Sequence, residues 1–446
     1  MKKFFYWCIC VFNLVVWQQV HAQITVIKNV TVIDGTGNLP RENMDLFIKG
    51  SNIAAITPTR KIYPENHLII DLTGKTVMPM LINTHGHIGL LKGTKTSALN
   101  YTKENIVSQL EKYEKFGVGT MMSLGTDREI IFGLRDSSKA GKLSGAYLFT
   151  AGYGFTTKGG GPTTEGGKDL FFRPTSPEEA RINVKTLARL KPDMIKIWVD
   201  NFGSDAEKIK PEVYQAIINE AHLHHIRVAS HLYYLEDAKA LVKAGVDVFA
   251  HSVRDTEIDA DLIASMKNKG TIYIPTLSLD KYAYAYAETP TWINDDFFRV
   301  SLEPGVLAMI NNEEYRQKTL NSPSYQRNVK AFQNAMKNVK KLFDAGILIA
   351  LGTDSGAQPI RTQGFSEHLE LELLTDAGLT PLQAITVGTQ NGAKVLGINK
   401  DRGTLEAGKK ADFIILQANP ADNIKATRLI EEVWKNGKLL NKGPLK

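Results

Sequence analysis

The sequence predicts a (β/α)8 barrel carrying a small β-sandwich domain built from both chain ends. Three observations support this: strand-and-turn patterning before residue 76, apolar strands alternating with helix-period segments over residues 76–396, and strand patterning again after Arg402. The chain has 446 residues, 43% hydrophobic and 9% aromatic, with 54 Lys+Arg against 47 Asp+Glu. That balance excludes a disordered, collagen-like or disulfide-stapled molecule.

Residues 1–22 have the layout of a secretory signal peptide: Lys2 and Lys3, an apolar run over 4–17, and a small residue at Ala22. The run is too short to span a bilayer comfortably, so no stable membrane span is expected after cleavage. The remainder keeps a mild positive excess without basic residues interleaved among aromatics, which argues against nucleic acid as a partner. Cys8 and Cys10 both fall in the apolar run. Their loss leaves a cysteine-free chain, in keeping with export to the periplasm or the medium.

Between residues 23 and 75, the β-branched runs 24–27 and 30–33, the turn Asp34-Gly35-Thr36-Gly37 and the segment 45–50 predict short antiparallel strands. The barrel is expected over 76–402, with strands at 76–82, 118–124, 146–150, 194–199, 227–230, 246–250, 271–275 and 347–351. Pro79, within the first, must sit where its missing N–H does no harm. Helix-period stretches at 177–190, 235–244, 259–269 and 380–396 lie between or after the strands. Residues 278–341 are too many for one connection and predict helices over the barrel mouth, with Tyr282, Tyr284 and Tyr286 as candidate lining. Lys158-Gly159-Gly160-Gly161-Pro162 with Gly166-Gly167 matches no phosphate-binding loop and reads as a lid. Residues 403–446 return to strands at 411–416 and 433–440, with Asn436-Gly437 as a hairpin turn.

Four of the ten histidines fall where barrel active sites are built. His85 and His87 follow the first strand at i and i+2, a spacing that turns both imidazoles the same way on extended backbone. His231 ends the fifth strand, His251 the sixth, and Asp354 follows the eighth. His21, His67, His222, His224 and His225 have bland readings, and His368 is expected on a helix surface rather than at the substrate rim. Lys196 interrupts the apolar fourth strand, where a lysine must either meet a carboxylate or serve chemistry. Burial and nearby cations favour its neutral amine, which can be converted to a carbamate.

As a set, His85-Gly86-His87, Lys196, His231, His251 and Asp354, in order on strands one, four, five, six and eight, resemble the metal-dependent amidohydrolase superfamily. The segment from Gly403 to Asp412, Asn83-Thr84, and Thr380-Pro381-Leu382-Gln383-Ala384 fit the same pattern, and within it the imidazolonepropionase-like group with exported Xaa-Pro dipeptidases is most similar. Asn83 stands where an Asp is usual and Met80 where Gly often follows the proline; neither replaces a ligand. The resemblance implies a first metal on His85, His87 and Asp354, and a second on His231 and His251. Carboxylated Lys196 and a hydroxide would bridge them, with Asp354 as proton carrier. Zinc is the default ion, with manganese, iron or cobalt suiting the same donors.

The expected activity is hydrolysis of the C–N bond of a cyclic amide or a small peptide, with Arg254 and Arg361 as candidates for a substrate carboxylate. A lactonase or phosphotriesterase would use the same metals, and a catalytically inactive binding protein would lack one or more of the ligands present here. A cofactor-using oxidoreductase would need a phosphate-gripping loop. The expected partner is a small molecule or dipeptide, and assembly into a homo-oligomer is left open.

Overall fold

The computed structural model describes residues 23–162, 170–203 and 205–446. The signal-like segment and Gly166-Gly167 lie outside them. Both chain ends contribute to one hydrogen-bonded sheet of eight strands among the described residues. Ile24–Val32 bridges its parts, pairing antiparallel with Arg41–Lys49 and parallel with Leu68–Asp71 and Thr76–Pro79. The C-terminal strand Phe413–Leu416 lies between Thr76–Pro79 and Ile430–Lys435. Asn436 (φ 51°) and Gly437 (φ 72°) turn the last hairpin, both in the left-handed region that such a two-residue turn requires. A side chain at residue 437 would also meet the Gly50 carbonyl.

The expected first barrel strand at 76–82 needs correction. Thr76–Pro79 belongs to the terminal sheet, and the barrel begins with Leu81–Gly86. Pro79 closes the earlier strand, and the Met80 N–H, 3.3 Å from the Asp412 carbonyl, makes the last link before the chain crosses over. From there the strands Val118–Ser123, Tyr147–Thr150, Ile195–Trp198, Val228–His231, Val248–Phe249 and Ile272–Tyr273 follow with helices between them. The eighth position, 347–351, is held without a long ladder: Tyr273 exchanges backbone bonds with Leu348 and Ala350, and the Thr84 N–H donates to the Leu351 carbonyl at 2.8 Å. Asp193 N–H to the Thr150 carbonyl joins strands three and four, so backbone bonds run round the whole ring.

Strand alternation sorts the core. Met122, Met194, Ala229, Val248, Ile272 and Ala350 form a cluster inside the barrel, whereas Ile195, Ile197, Val228 and Phe249 face the helices. Lys196 shares the parity of Met194 and therefore points inward. Gly125 makes this feasible, because a Cβ there would sit 2.6 Å from the Lys196 Cβ.

The long connection forms five helices, from Leu277–Ala285 to Tyr325–Asp344. Its last helix buries Asn334 and Asn338, whose amides bind the carbonyls of Arg254, Val253 and Thr256 at 2.9–3.0 Å in the loop after His251. Tyr282 and Tyr286 stack on each other in the interior, and Tyr284 packs on Phe332. None of the three is an open lining residue: two are buried and Tyr284 is half-buried. His368 is likewise neither on a helix surface nor at the rim: it is fully buried and bridges the Phe116 carbonyl (2.9 Å) and the Thr427 hydroxyl (3.0 Å).

Arg428 ties three regions together. From the C-terminal segment it reaches Asp295 of the long connection at 2.6 Å and Glu372 of the helix Phe365–Asp376. Burial pushes the Glu372 carboxyl up to about 7 against the opposing pull of Arg428. Arg428→Ala is expected to destabilise the protein by about 3 kcal/mol, since it strands one buried and one half-buried carboxylate. Denaturant unfolding checks this, and a loss below about 1 kcal/mol would show that the clamp is dispensable.

Candidate functional site

The predicted site residues converge at the carboxyl ends of the strands. His85 and His87 leave the end of strand one with ring centroids 5.6 Å apart. Asp354 comes from the loop after strand eight in the left-handed region (φ 57°), fixed there by its N–H to the His85 carbonyl at 2.8 Å. Its Oδ1 lies 2.7 Å from His87 Nε2 and 3.2 Å from His85 Nε2. Ligand atoms of these three buried residues lie within 4.8 Å of one another, close enough to hold one metal ion. The His251 ring centroid lies 4.7 Å from that of His85, with the rings tilted, and the His231 centroid lies 4.4 Å from that of His251.

Lys196 completes the group from below. It is fully buried, with no protein hydrogen-bond partner for Nζ among the described residues. Burial pulls its ammonium down to about 7, opposed by Asp354 and helped by Arg254. Burial likewise keeps His85 (about 3), His231 (about 4) and His251 neutral, with Lys196 adding to each. Asp354 is the exception: burial alone would raise its carboxyl, but Arg361, His87 and His85 hold it well below the usual carboxylate range. The result is three neutral imidazoles, those of His85, His231 and His251, beside one ionised carboxylate and a stranded amine. This donor set fits divalent metal.

Three of the four imidazoles have an orienting partner that sequence reasoning missed. His87 Nδ1 contacts the Thr126 hydroxyl at 2.7 Å, His231 Nε2 the Asp200 carboxylate at 3.0 Å, and His251 Nδ1 the Thr276 hydroxyl at 2.8 Å. His231 is thus left with Nδ1, and His251 with Nε2, to face the site. Asp200 had one legible signal: it is a charged residue just past the end of apolar strand four. Asn83, noted in the sequence as a departure, has a structural reason. Its amide donates to Glu367 Oε1 at 2.7 Å while its Oδ1 accepts the His85 N–H at 2.9 Å. An aspartate there would set two carboxylates against each other.

The two arginines part company. Arg361 reaches Asp354 Oδ2 and borders the histidine–carboxylate cluster. Arg254 is buried, paired with Asp280 at 3.1 Å and bonded to the Leu232 carbonyl, with its guanidinium over the Tyr233 ring. It therefore forms an interior ion pair. His222 and His224 make partly exposed pairs with Asp247 and Glu220, away from the cluster.

The fold and site define an α/β-barrel protein with a histidine–carboxylate cluster at the carboxyl rim. A model of the amidohydrolase family matches residues 76–440, and the chain belongs to that family. Among curated proteins it is 28% identical to ochratoxinase of Aspergillus niger over 278 residues, 60% of this chain and 50% of that protein. It is 36% identical to the imidazolonepropionase of Deinococcus deserti over 104 residues, 22% of this chain and 25% of that one. The chain thus spans half or less of the length of these two relatives. Among solved structures, a Xaa-Pro dipeptidase with bound methionine superposes with a TM-score of 0.74 at 24% identity, covering 94% of this chain and 100% of that one. The A. niger ochratoxinase structure gives 0.71 at 22% identity, covering 95% and 96%. These superpositions support the barrel fold.

Proposed function

We propose that the protein is an exported, metal-dependent hydrolase of amide bonds that acts on a cyclic amide or a small peptide. The observation that carries this reading is the convergence of His85, His87, Asp354, His231 and His251 around the amine of Lys196, which has no hydrogen-bond partner among the described residues. Family membership and the likeness to ochratoxinase, imidazolonepropionase and a Xaa-Pro dipeptidase support the bond type. Export rests on the character of residues 1–22.

His85, His87 and Asp354 would hold one divalent ion, and His231 and His251 a second, with Lys196 between them as a carbamate. Bound ions of this kind polarise a carbonyl and bring the pKa of water to about 7. Carbamate formation joins the neutral Nζ to the carbon of CO2 and releases one proton, which leaves an anionic oxygen pair where the amine had none. Asp354 takes a proton from the attacking water and delivers it to the departing amine. Arg361 keeps Asp354 ionised and offers its remaining N–H groups to a substrate carboxylate. Asp200 and Thr276 hold the second pair of imidazoles in register.

The test is hydrolysis of a panel of dipeptides, N-acyl amino acids and cyclic amides. Cleavage of at least one member is expected, lost with chelator and regained with divalent metal and bicarbonate. Failure on every member after restoration removes the amide assignment. Metal analysis should find about two equivalents. Asp200→Asn is expected to weaken metal binding about 10- to 100-fold, because an amide can bond either nitrogen form of His231 and no longer reserves Nδ1 for the ion. Chelator competition measures this; unchanged affinity would show that Asp200 does not orient His231.

A further inference from the structure

The helix Phe365–Asp376 turns two glutamates, Glu367 and Glu370, into the interior on one face; both are 0% exposed. Glu367 serves the first subsite. Its Oε1 accepts from Asn83, Thr353 and Ser355, each at 2.7 Å, and so grips both neighbours of Asp354 and the residue that orients the His85 backbone. Glu370 serves a different place. Its two oxygens accept the N–H groups of Leu277 (2.8 Å) and Ser278 (2.7 Å), at the start of the helix Leu277–Ala285.

That helix has an unusual start. A threonine at the N-cap ordinarily accepts from an N–H two or three residues on, which satisfies one of the orphaned donors of the first turn. Thr276 occupies the N-cap in the left-handed region (φ 53°) and makes no such bond. Its hydroxyl is turned instead to His251 Nδ1 at 2.8 Å. Two first-turn donors are taken by Glu370, from another helix.

We propose that Glu370 is a positioning residue for the His231–His251 subsite. By capping the helix in place of Thr276, it frees the Thr276 hydroxyl to fix His251 with Nε2 toward the site. The consequence for metal rests on the function proposed above; the hydroxyl exchange does not. In Glu370→Gln, one backbone N–H faces an amide donor, and the Thr276 hydroxyl is drawn back to its own helix.

The experiment is a cycle of wild type, Glu370→Gln, Thr276→Val and the double variant. Chelator competition with Zn²⁺ gives the affinity of each metal equivalent, and ¹⁵N NMR of the chelated protein gives the His251 tautomer. Each single variant is expected to weaken one equivalent about 10- to 100-fold and leave the other within about twofold. Because both act through one hydroxyl, the double variant should be no worse than the more severe single. His251 should lose its fixed tautomer in all three. The proposal is overturned if Glu370→Gln leaves both equivalents within about twofold of wild type, if the losses multiply in the double variant, or if the tautomer is unmoved. If wild type binds no Zn²⁺, the metal reading fails while the tautomer still decides the role of Glu370. Should Glu370→Gln not fold, Glu370→Asp, which withdraws the cap by one methylene, replaces it in the same cycle.

Discussion

Asp354→Asn should lower kcat/KM on any cleaved substrate by about 10³-fold or more. General acid–base work alone contributes about 10²–10⁴-fold, and the same substitution weakens a metal ligand. The change is unusually clean because residue 354 has φ 57°, and asparagine tolerates the left-handed region as well as aspartate does. Backbone strain therefore adds little, and the effect reports chemistry. An amide at this position would also present a donor or a neutral oxygen to Arg361, where a carboxylate now pairs with the guanidinium. Steady-state kinetics, with metal content and thermal melting measured on the same sample, separates the contributions. Activity within tenfold of wild type would remove Asp354 as proton carrier.

Lys196→Met should move activity and stability in opposite directions. Activity is expected to fall about 10³-fold, equivalent to about 4 kcal/mol of barrier, as the anionic bridge proposed at this position is lost. The chelated protein should melt at the same temperature or higher, because an unpartnered buried amine gives way to a flexible apolar side chain of similar length. The pH sign follows from the amine being held at about 7 against an ordinary 10.5. Below about 7 the folded protein must carry a buried ammonium at full cost, and between 7 and 10.5 that cost fades as pH rises. Wild type should thus gain stability on Lys196 over that window, and the variant should not. Reactivation of the chelated wild type by metal and bicarbonate should likewise quicken as pH rises through about 7, where the neutral amine becomes the main form. Full activity in Lys196→Met would reduce the lysine to a packing element.

Much of this was legible in the sequence, for physical reasons that differ by element. Strand ends were readable because each candidate ligand follows a short strand-like segment, and the barrel brings such ends to one rim. Lys196 was readable because charge inside an apolar strand has no innocent place to go. The small sheet was legible at Asn436-Gly437, whose turn chemistry leaves few alternatives. What failed depended on contacts between distant segments. Nothing local distinguishes Thr76–Pro79, which pairs with a strand over 300 residues later, from the barrel strand that follows it. His368 sits in a helix that looks polar, with Glu367, Glu370 and Glu372 nearby, yet the helix is buried from Phe365 to Leu374 and these three charges are answered by Asn83, two backbone N–H groups and Arg428. The orienting groups Thr126 and Thr276 were invisible because any hydroxyl beyond a strand end has many uses, and Asp200 showed only as a charge just past strand four.

The position of Phe413–Leu416 between Thr76–Pro79 and Ile430–Lys435 has a consequence for biogenesis. More than 300 residues must be synthesised after Thr76–Pro79 before the strand that this edge awaits can be supplied. Such non-local pairing makes folding slow and leaves partners exposed in the meantime. The growing chain therefore stays open, with an unfilled strand edge, until residues 413–435 emerge. A shortened product lacking them would offer that edge to other chains and is expected to aggregate.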